Sequence, residues 1–416
     1  MKAPTLISFL AGALPLLAAP TEPVRRQNEV IPGKFIVRLK PGSSPESVSA
    51  HQLRVRGLLA RRDESIKETY QIGDFNAYSG DFDAETASTI ASLPEVLSVV
   101  PDEYIYVEKT DVDTSSKRAL TTQTDAIWAL GDLSHKLNGS TEYVYDERAG
   151  EGQTAYVLDT GIRLTHTEFE GTRALWGFNA VTGSAEQTGT NSDDDSHGTH
   201  VAGSIVGKVN GVAKKATVVD VKVFRNGGGS TSQVLAGMDW ALKDITAKGA
   251  KATSVINMSL SGWGTDTTLD DAALALYNEG ITVLAAAGNN DGPASEHAPA
   301  RVPEIITVGM SDSARRRVLV IEGAFGSNYG PELDVFAPGM DILSADFRSD
   351  TGFVSKTGTS MATPITAGLV CYLRSIETGL GTPDSIKARL IELALDGVLT
   401  DPKGSPNRLI NNGNGL

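Results

Sequence analysis

Thr154-Ala155-Tyr156-Val157-Leu158-Asp159-Thr160-Gly161 sets four apolar residues in a row before an acid, a hydroxyl and a glycine. An unbroken apolar run of this length leaves no polar face for water, which predicts a strand covered on both sides, as in parallel sheets flanked by helices. Similar runs recur at 217–223, 254–258, 281–285 and 305–308, with helix-like stretches over 232–248 and 269–279 between them. Alternation of this kind predicts an α/β domain over residues 119–416, built on a central parallel sheet with helices on both faces. Ligands of such sheets sit at the carboxyl ends of the strands, where Asp159 stands.

Upstream the text changes character. Residues 1–19 read as a secretory signal: Lys2, an apolar run from Leu6 interrupted by Ser8 and Pro15, and the ending Leu17-Ala18-Ala19. That run is too short to span a bilayer and no later run is long enough, so the expectation is a secreted, extracellular protein with no membrane partner. Residues 20–118 carry strand-like runs at 34–39, 75–78 and 96–100 and helix-like runs at 44–59 and 84–93, the pattern of a small α+β module. The polar stretch 108–118 has no apolar period and reads as a linker. It ends in the dibasic pair Lys117-Arg118, open to a processing protease.

Lys and Arg number 37 against 51 Asp and Glu, a net charge of -14 at pH 7. The basic footprint of a nucleic-acid binder is missing, which excludes that class of partner. Arg315-Arg316-Arg317, the one basic cluster, reads as a solvated loop, and so does the acidic run Asp193-Asp194-Asp195. The single cysteine, Cys371, permits no intramolecular disulfide and sits in an apolar run, as an inert core thiol would.

Two further motifs belong with Asp159. His197-Gly198-Thr199-His200 opens a helix, and Gly358-Thr359-Ser360-Met361-Ala362 precedes another. A serine hydroxyl is a poor nucleophile until an imidazole accepts its proton, and the imidazole needs a carboxylate to fix its tautomer and stabilise its cation. Acid, base and alcohol occur here in the order Asp, His, Ser, which distinguishes one of the unrelated scaffolds that carry this triad. His200 reads as a packing or hydrogen-bonding histidine, since no third ligand makes a zinc pair of it with His197.

Extended to Tyr156-Val157-Leu158-Asp159-Thr160-Gly161-Ile162, His197-Gly198-Thr199-His200-Val201-Ala202-Gly203 and Gly358-Thr359-Ser360-Met361-Ala362-Thr363-Pro364, these strings resemble the active-site signatures of subtilisin-like serine proteases, the subtilases, and among them the proteinase K group. The likeness covers nearly all of residues 119–416, while residues 20–107 resemble the subtilase inhibitor propeptide. It implies a subtilisin-like fold and a secreted serine endopeptidase, made as a zymogen, that cuts internal peptide bonds after mostly apolar or aromatic residues. It makes Ser360 the nucleophile, His197 the base and then the acid, Asp159 its orienting partner, and Asn289 the side-chain donor of an oxyanion hole. Gly227, Gly228 and Gly229 on one side and Ser259, Leu260, Ser261 and Gly262 on the other become the edges that pair with an extended substrate.

The resemblance also implies a structural calcium ion held by the carbonyls of Pro303 and Ile305 and the carboxylate of Asp334; catalysis itself needs no cofactor. Implied partners are protein and peptide substrates and the chain's own propeptide, acting as inhibitor and folding aid on a monomeric enzyme. The pattern departs at Ile365, where histidine is usual, at Ser261, where glycine is usual and a side chain now stands beside the primary specificity pocket, and in the longer loop 315–325. Asn138-Gly139-Ser140 is a glycosylation sequon in a turn, and Asn257-Met258-Ser259 repeats the pattern inside a buried strand. Two alternatives stay open on the sequence alone: a catalytically silent homologue acting as a binding module, and a non-proteolytic serine esterase.

Overall fold

A computed structural model describes residues 30–40, 44–59, 65–72, 75–103, 120–229, 231–263, 267–321 and 325–414. The signal expected at 1–19 and the linker with its dibasic pair at 108–118 lie outside them. The chain divides between residues 115 and 116 into two compact units.

The first unit runs β1 (Val30–Leu39), α1 (Pro45–Leu59), β2 (Ser65–Ile72), β3 (Phe75–Asp81), α2 (Ala84–Ala91) and β4 (Val96–Glu103), with its strands in the order β2-β3-β1-β4. β1 pairs antiparallel with both neighbours, and the register Val37↔Tyr78 brings two fully buried residues together in a core that also takes Val55, Leu59 and Ile90. α2 starts on Asp83, whose carboxylate accepts the Thr86 N–H at 2.7 Å. The α+β expectation holds, but β2 was not foreseen. Ser-Ile-Lys-Glu-Thr-Tyr-Gln-Ile has five charged or polar residues among its eight, as suits an edge strand, where charge discourages further pairing.

In the second unit β5 (Thr154–Asp159) takes the apolar run Ala155-Tyr156-Val157-Leu158. Its side chains alternate in direction: Ala155 and Val157 enter one core, Tyr156 and Leu158 the other. Around it stand β6 (Ala174–Asn179), β7 (Thr217–Lys222), β8 (Ser254–Met258), β9 (Thr282–Ala286), β10 (Ile306–Ser311), β11 (Val335–Pro338), β12 (Leu395–Asp396) and β13 (Arg408–Leu409). Their order is β12-β13-β11-β10-β9-β8-β5-β7-β6, parallel throughout except for the short β12–β13 pair.

Helices α3 (His197–Val206) and α6 (Thr359–Ile376) bury their apolar sides in the core of Ala155 and Val157. Those of α4 (Thr231–Ala247) and α5 (Thr268–Asn278) enter the core of Tyr156 and Leu158, through Val234, Met238, Ala241 and Ile245 on α4 and Leu269, Ala273 and Leu276 on α5, spaced every three or four residues. α7 (Pro383–Leu393) adds Ile386 and Leu390 to the first core. Truncating a buried side chain of this size costs about 2–5 kcal/mol. β5 has β7 on one side and β8 on the other, so the chain changes its direction of growth across the sheet at β5, and the carboxyl end of that strand is the place for a site.

Arg315-Arg316-Arg317 is not a solvated loop. Arg315 and Arg317 are 5 % and 3 % exposed, paired with Asp132 at 2.8 Å and Asp291 at 2.7 Å. Arg315 also donates to the carbonyls of His135 and Lys136, and Arg317 to those of Ser327 and Asp401. A guanidinium can be buried only where acceptors take up its donors, and losing one partner of such a pair costs about 3–5 kcal/mol. Cys371 and Ile365 are both 1 % exposed; burial pushes the Cys371 thiol up to about 12, so it is unreactive. Among the described residues no helix is long and apolar enough to cross a membrane.

Candidate active site

Asp159 closes β5 and is 1 % exposed. Its Oδ1 accepts the N–H of Thr160 at 2.7 Å, and His197 Nδ1 lies 2.8 Å from Oδ1 and 3.0 Å from Oδ2. Two glycines permit the backbone contact behind this pair. Gly161 turns with φ 112°, and a Cβ on it would stand 2.4 Å from Ser192 Oγ; a Cβ on Gly198 would stand 2.2 Å from the Gly161 carbonyl oxygen. Thr160 closes the clasp, its hydroxyl donating to Asp193 at 2.8 Å and accepting the Gly198 N–H at 2.9 Å.

The acidic run before His197 is not uniformly solvated. Asp193 is 5 % exposed and accepts the N–H groups of Asp195, Ser196 and Thr199 at 3.0, 2.9 and 3.0 Å. These are donors that the start of α3 cannot satisfy internally, which is why a carboxylate is stable there. Asp194 and Asp195 are exposed, and Asp194 pairs with Lys222 at 3.1 Å. Burial disfavours the imidazolium of His197. The charge and hydrogen bond of Asp159, with Asp195, outweigh burial and the opposing Lys356, so its pKa stands above the ordinary histidine value. His200, one turn on, is fully buried and meets the Ile342 carbonyl at 2.8 Å through Nε2; burial lowers its pKa to about 4, and it serves as a neutral core histidine.

Ser360 is the second residue of α6. Its hydroxyl donates to the Ser259 carbonyl at 3.2 Å, while the Ser259 hydroxyl donates to the Ser360 carbonyl at 2.9 Å. The second bond follows from Pro364. Having no N–H, Pro364 leaves the carbonyl four residues back without its helical donor, and Ser259 fills the gap. Ser360 and His197 line one cleft of about 260 Å³ together with Gly227, Ser259, Leu260 and Ser261. Ser360 Oγ is held by the Ser259 carbonyl rather than by His197, and a rotation about its Cα–Cβ bond would be needed to free it.

Asn289 follows β9. Its Oδ1 accepts the Thr359 N–H at 2.8 Å and the Thr359 hydroxyl at 3.0 Å, which fixes the amide and leaves Nδ2 as the donor beside the Ser360 N–H. The N–H groups of Met361 and Ala362 turn back to Gly358. A Cβ built on Gly358 would stand 3.5 Å from Asn289 Nδ2 and 3.6 Å from Ser360 N, in ordinary van der Waals contact. Gly358 has φ 162°, an extended backbone open to any residue. The expected result for Gly358→Ala is therefore an unchanged Tm with kcat lower by roughly 10²-fold or more, because the methyl occupies the space an oxyanion would take. Thermal melts and steady-state kinetics on a peptide substrate check both halves.

Of the expected substrate edges, Gly227 and Ser259, Leu260 and Ser261 reach the cleft. Gly228 instead closes a turn, giving its N–H to Arg225 and taking the Arg225 N–H at 2.8 Å. Gly229 is exposed beyond that turn, and Gly262 pairs with Ala298 in a separate two-stranded ladder. Asn138 is exposed, as its sequon requires, and Asn257 is fully buried.

The carbonyls of Pro303 and Ile305 and the Asp334 carboxylate do converge, but on Lys387. Its Nζ lies 2.6 Å from Pro303 O, 2.8 Å from Ile305 O and 2.8 Å from Asp334 Oδ1. The donor set assigned to calcium thus holds an ammonium and does not fit a divalent ion beside it; a lysine on a distant helix and two backbone carbonyls leave no spacing signal in the sequence. Among the described residues no cluster of three or more His, Cys, Asp or Glu is arranged to hold a metal.

The model of the subtilase family matches residues 150–415, and that of the peptidase inhibitor I9 family matches residues 34–108. The chain is 42% identical over 418 residues to alkaline protease 1 of Aspergillus clavatus, across 97% of this chain and 98% of that protein. It is likewise 42% identical over 417 residues to the alkaline proteinase of Hapsidospora chrysogena, across 98% of each. Among solved structures, a cold adapted subtilisin-like serine proteinase superposes with a TM-score of 0.62 at 38% identity, covering 69% of this chain and 98% of its own.

Proposed function

The chain belongs to the subtilase family of serine endopeptidases, and from that premise we propose that it is a secreted zymogen whose Asp159, His197 and Ser360 form the catalytic triad. The observation that carries this reading is the 2.8 Å contact between Asp159 and His197 on the cleft that Ser360 also lines.

Asp159 holds the Nδ1–H tautomer, so Nε2 is the basic nitrogen. Nε2 takes the Ser360 proton as Oγ bonds to the scissile carbonyl carbon, and the carbonyl oxygen becomes an oxyanion received by the Ser360 N–H and Asn289 Nδ2. Collapse breaks the C–N bond; the amine leaves with the proton from Nε2 and an ester remains on Ser360. Water then gives a proton to Nε2 and its oxygen to the ester carbon, and breakdown returns the proton to Ser360 and frees the acid. The substrate strand lies between Gly227 and the segment 259–261. Leu260 and the small side chain of Ser261 favour an apolar or aromatic residue before the cut.

Residues 1–19 direct export, and the inhibitor module keeps the peptidase unit silent until the chain is cut between the two. Asn138 is a site for glycosylation. Purified mature protein should degrade casein, and a serine-reactive phosphonate should stop it while adding one label to the peptide that contains Ser360. Casein cleavage that persists in fully labelled protein overturns the reading, and ester turnover without casein cleavage points to an esterase.

A further inference from the structure

We propose that Lys387 is a built-in replacement for a divalent cation, which makes this rim of the sheet independent of calcium. Residues 303–305 lead into β10 and Asp334 leads into β11, so the three oxygens stand where two neighbouring parallel strands begin. Carbonyl oxygens and a carboxylate crowded at one point repel each other unless a cation lies among them. Lys387 supplies it. An ammonium has three hydrogens, and three oxygens at 2.6, 2.8 and 2.8 Å use them all.

A calcium ion would need six to eight oxygens at about 2.3–2.6 Å, in the volume that Nζ fills. The other oxygen of Asp334, Oδ2, accepts the Thr307 N–H at 2.9 Å, so bidentate chelation would compete for an oxygen already engaged at the head of β10. The lysine is also held in place. Thr382 and Ser385 cap α7 reciprocally, Ile386 and Leu390 anchor it in the core, and Arg389 ties it to Glu377 at 2.8 Å.

The neighbouring pair of strands is fastened the same way. Arg374 of α6 donates to the carbonyl of Ser254 at 2.9 Å and to Thr282 Oγ1 at 2.6 Å, the first residues of β8 and β9. Covalently attached cations thus pin four adjacent strands, β8 to β11, at their amino ends, and the peptidase keeps its frame where calcium is sequestered.

The test is thermal, and its readout is the melting temperature rather than peptidase activity. Protein blocked at its reactive serine, to stop self-digestion, is melted in about 10 mM calcium chloride and in excess EDTA. Lys387→Ala should lower Tm by roughly 3–8 °C in EDTA, recover much of that loss in calcium because the ion enters the emptied cradle, and lose this recovery when Asp334→Asn is added. No loss in EDTA, or a loss that calcium does not mend, overturns the proposal. If Lys387→Ala does not fold, the wild type decides: a calcium-dependent rise in Tm that Asp334→Asn abolishes refutes it, while no rise, or one that Asp334→Asn leaves intact, upholds it.

Discussion

Ser360→Ala is expected to lower kcat/KM on a peptide substrate by on the order of 10⁶-fold while leaving the fold and peptide binding in place. The side chain is partly exposed at the cleft and its hydroxyl makes one weak bond, 3.2 Å to the Ser259 carbonyl, so little packing is lost with it. The reciprocal bond from Ser259 to the Ser360 carbonyl uses backbone and survives. The proposed oxyanion donors, the Ser360 N–H and Asn289 Nδ2, survive as well, so the residual rate should still exceed that of water. Single-turnover kinetics and thermal melts on the variant check both statements, and a loss under tenfold would remove Ser360 from the mechanism.

Asp159→Asn is expected to cost about 10⁴-fold in kcat, for a different reason. Asparagine keeps an oxygen for the Thr160 N–H, which now accepts at 2.7 Å, so the clasp with Gly161 and Gly198 stands. The amide nitrogen then takes the place of Oδ2, 3.0 Å from His197 Nδ1, and offers that ring nitrogen a donor where it had an anionic acceptor. The neutral oxygen left at the Oδ1 place is shared with the Thr160 N–H, so the Nδ1–H tautomer loses its preference and the imidazole shifts toward the tautomer that cannot take the Ser360 proton. The pH dependence carries a second signature. Catalysis needs neutral His197, and Asp159 holds its pKa above the ordinary value, so the acid limb of the wild-type kcat/KM profile should lie above the ordinary histidine value. Removing the negative charge removes the raising influence, and the limb of the variant's small residual activity should move to lower pH. A limb that stays in place would mean that another group titrates there.

How much of this was legible beforehand depends on whether a residue's partner is near it in sequence. β5 announced itself because four apolar residues before an acid have few other uses, and its two-faced burial follows directly. The glycines flanking Asp159 and His197 sit next to the residues they serve, so the motif already contained the reason for the 2.8 Å contact. Arg315 and Arg317 were misread because their carboxylates, Asp132 and Asp291, are distant in the chain. No local charge count could show that a buried acid was waiting for each. Asp193 was misread for a related reason: its partners are backbone N–H groups, which every sequence has and none displays. β2 was missed because an edge strand is allowed the polarity of a loop. The tie between Ser259 and Ser360 needed both Pro364 and the approach of β8 to α6, and only the first of these is visible in one dimension.

The direction of the sheet has a consequence for how such a protein can change over time. Parallel strands sort the molecule into a side where chains start and a side where they finish. Arg374 and Lys387 clamp the first, whereas Gly227, Leu260 and Ser261 border the opening on the second. Insertions and replacements on the cutting side can accumulate while the clamped side holds the frame, so new cleavage preferences need not be traded against the scaffold.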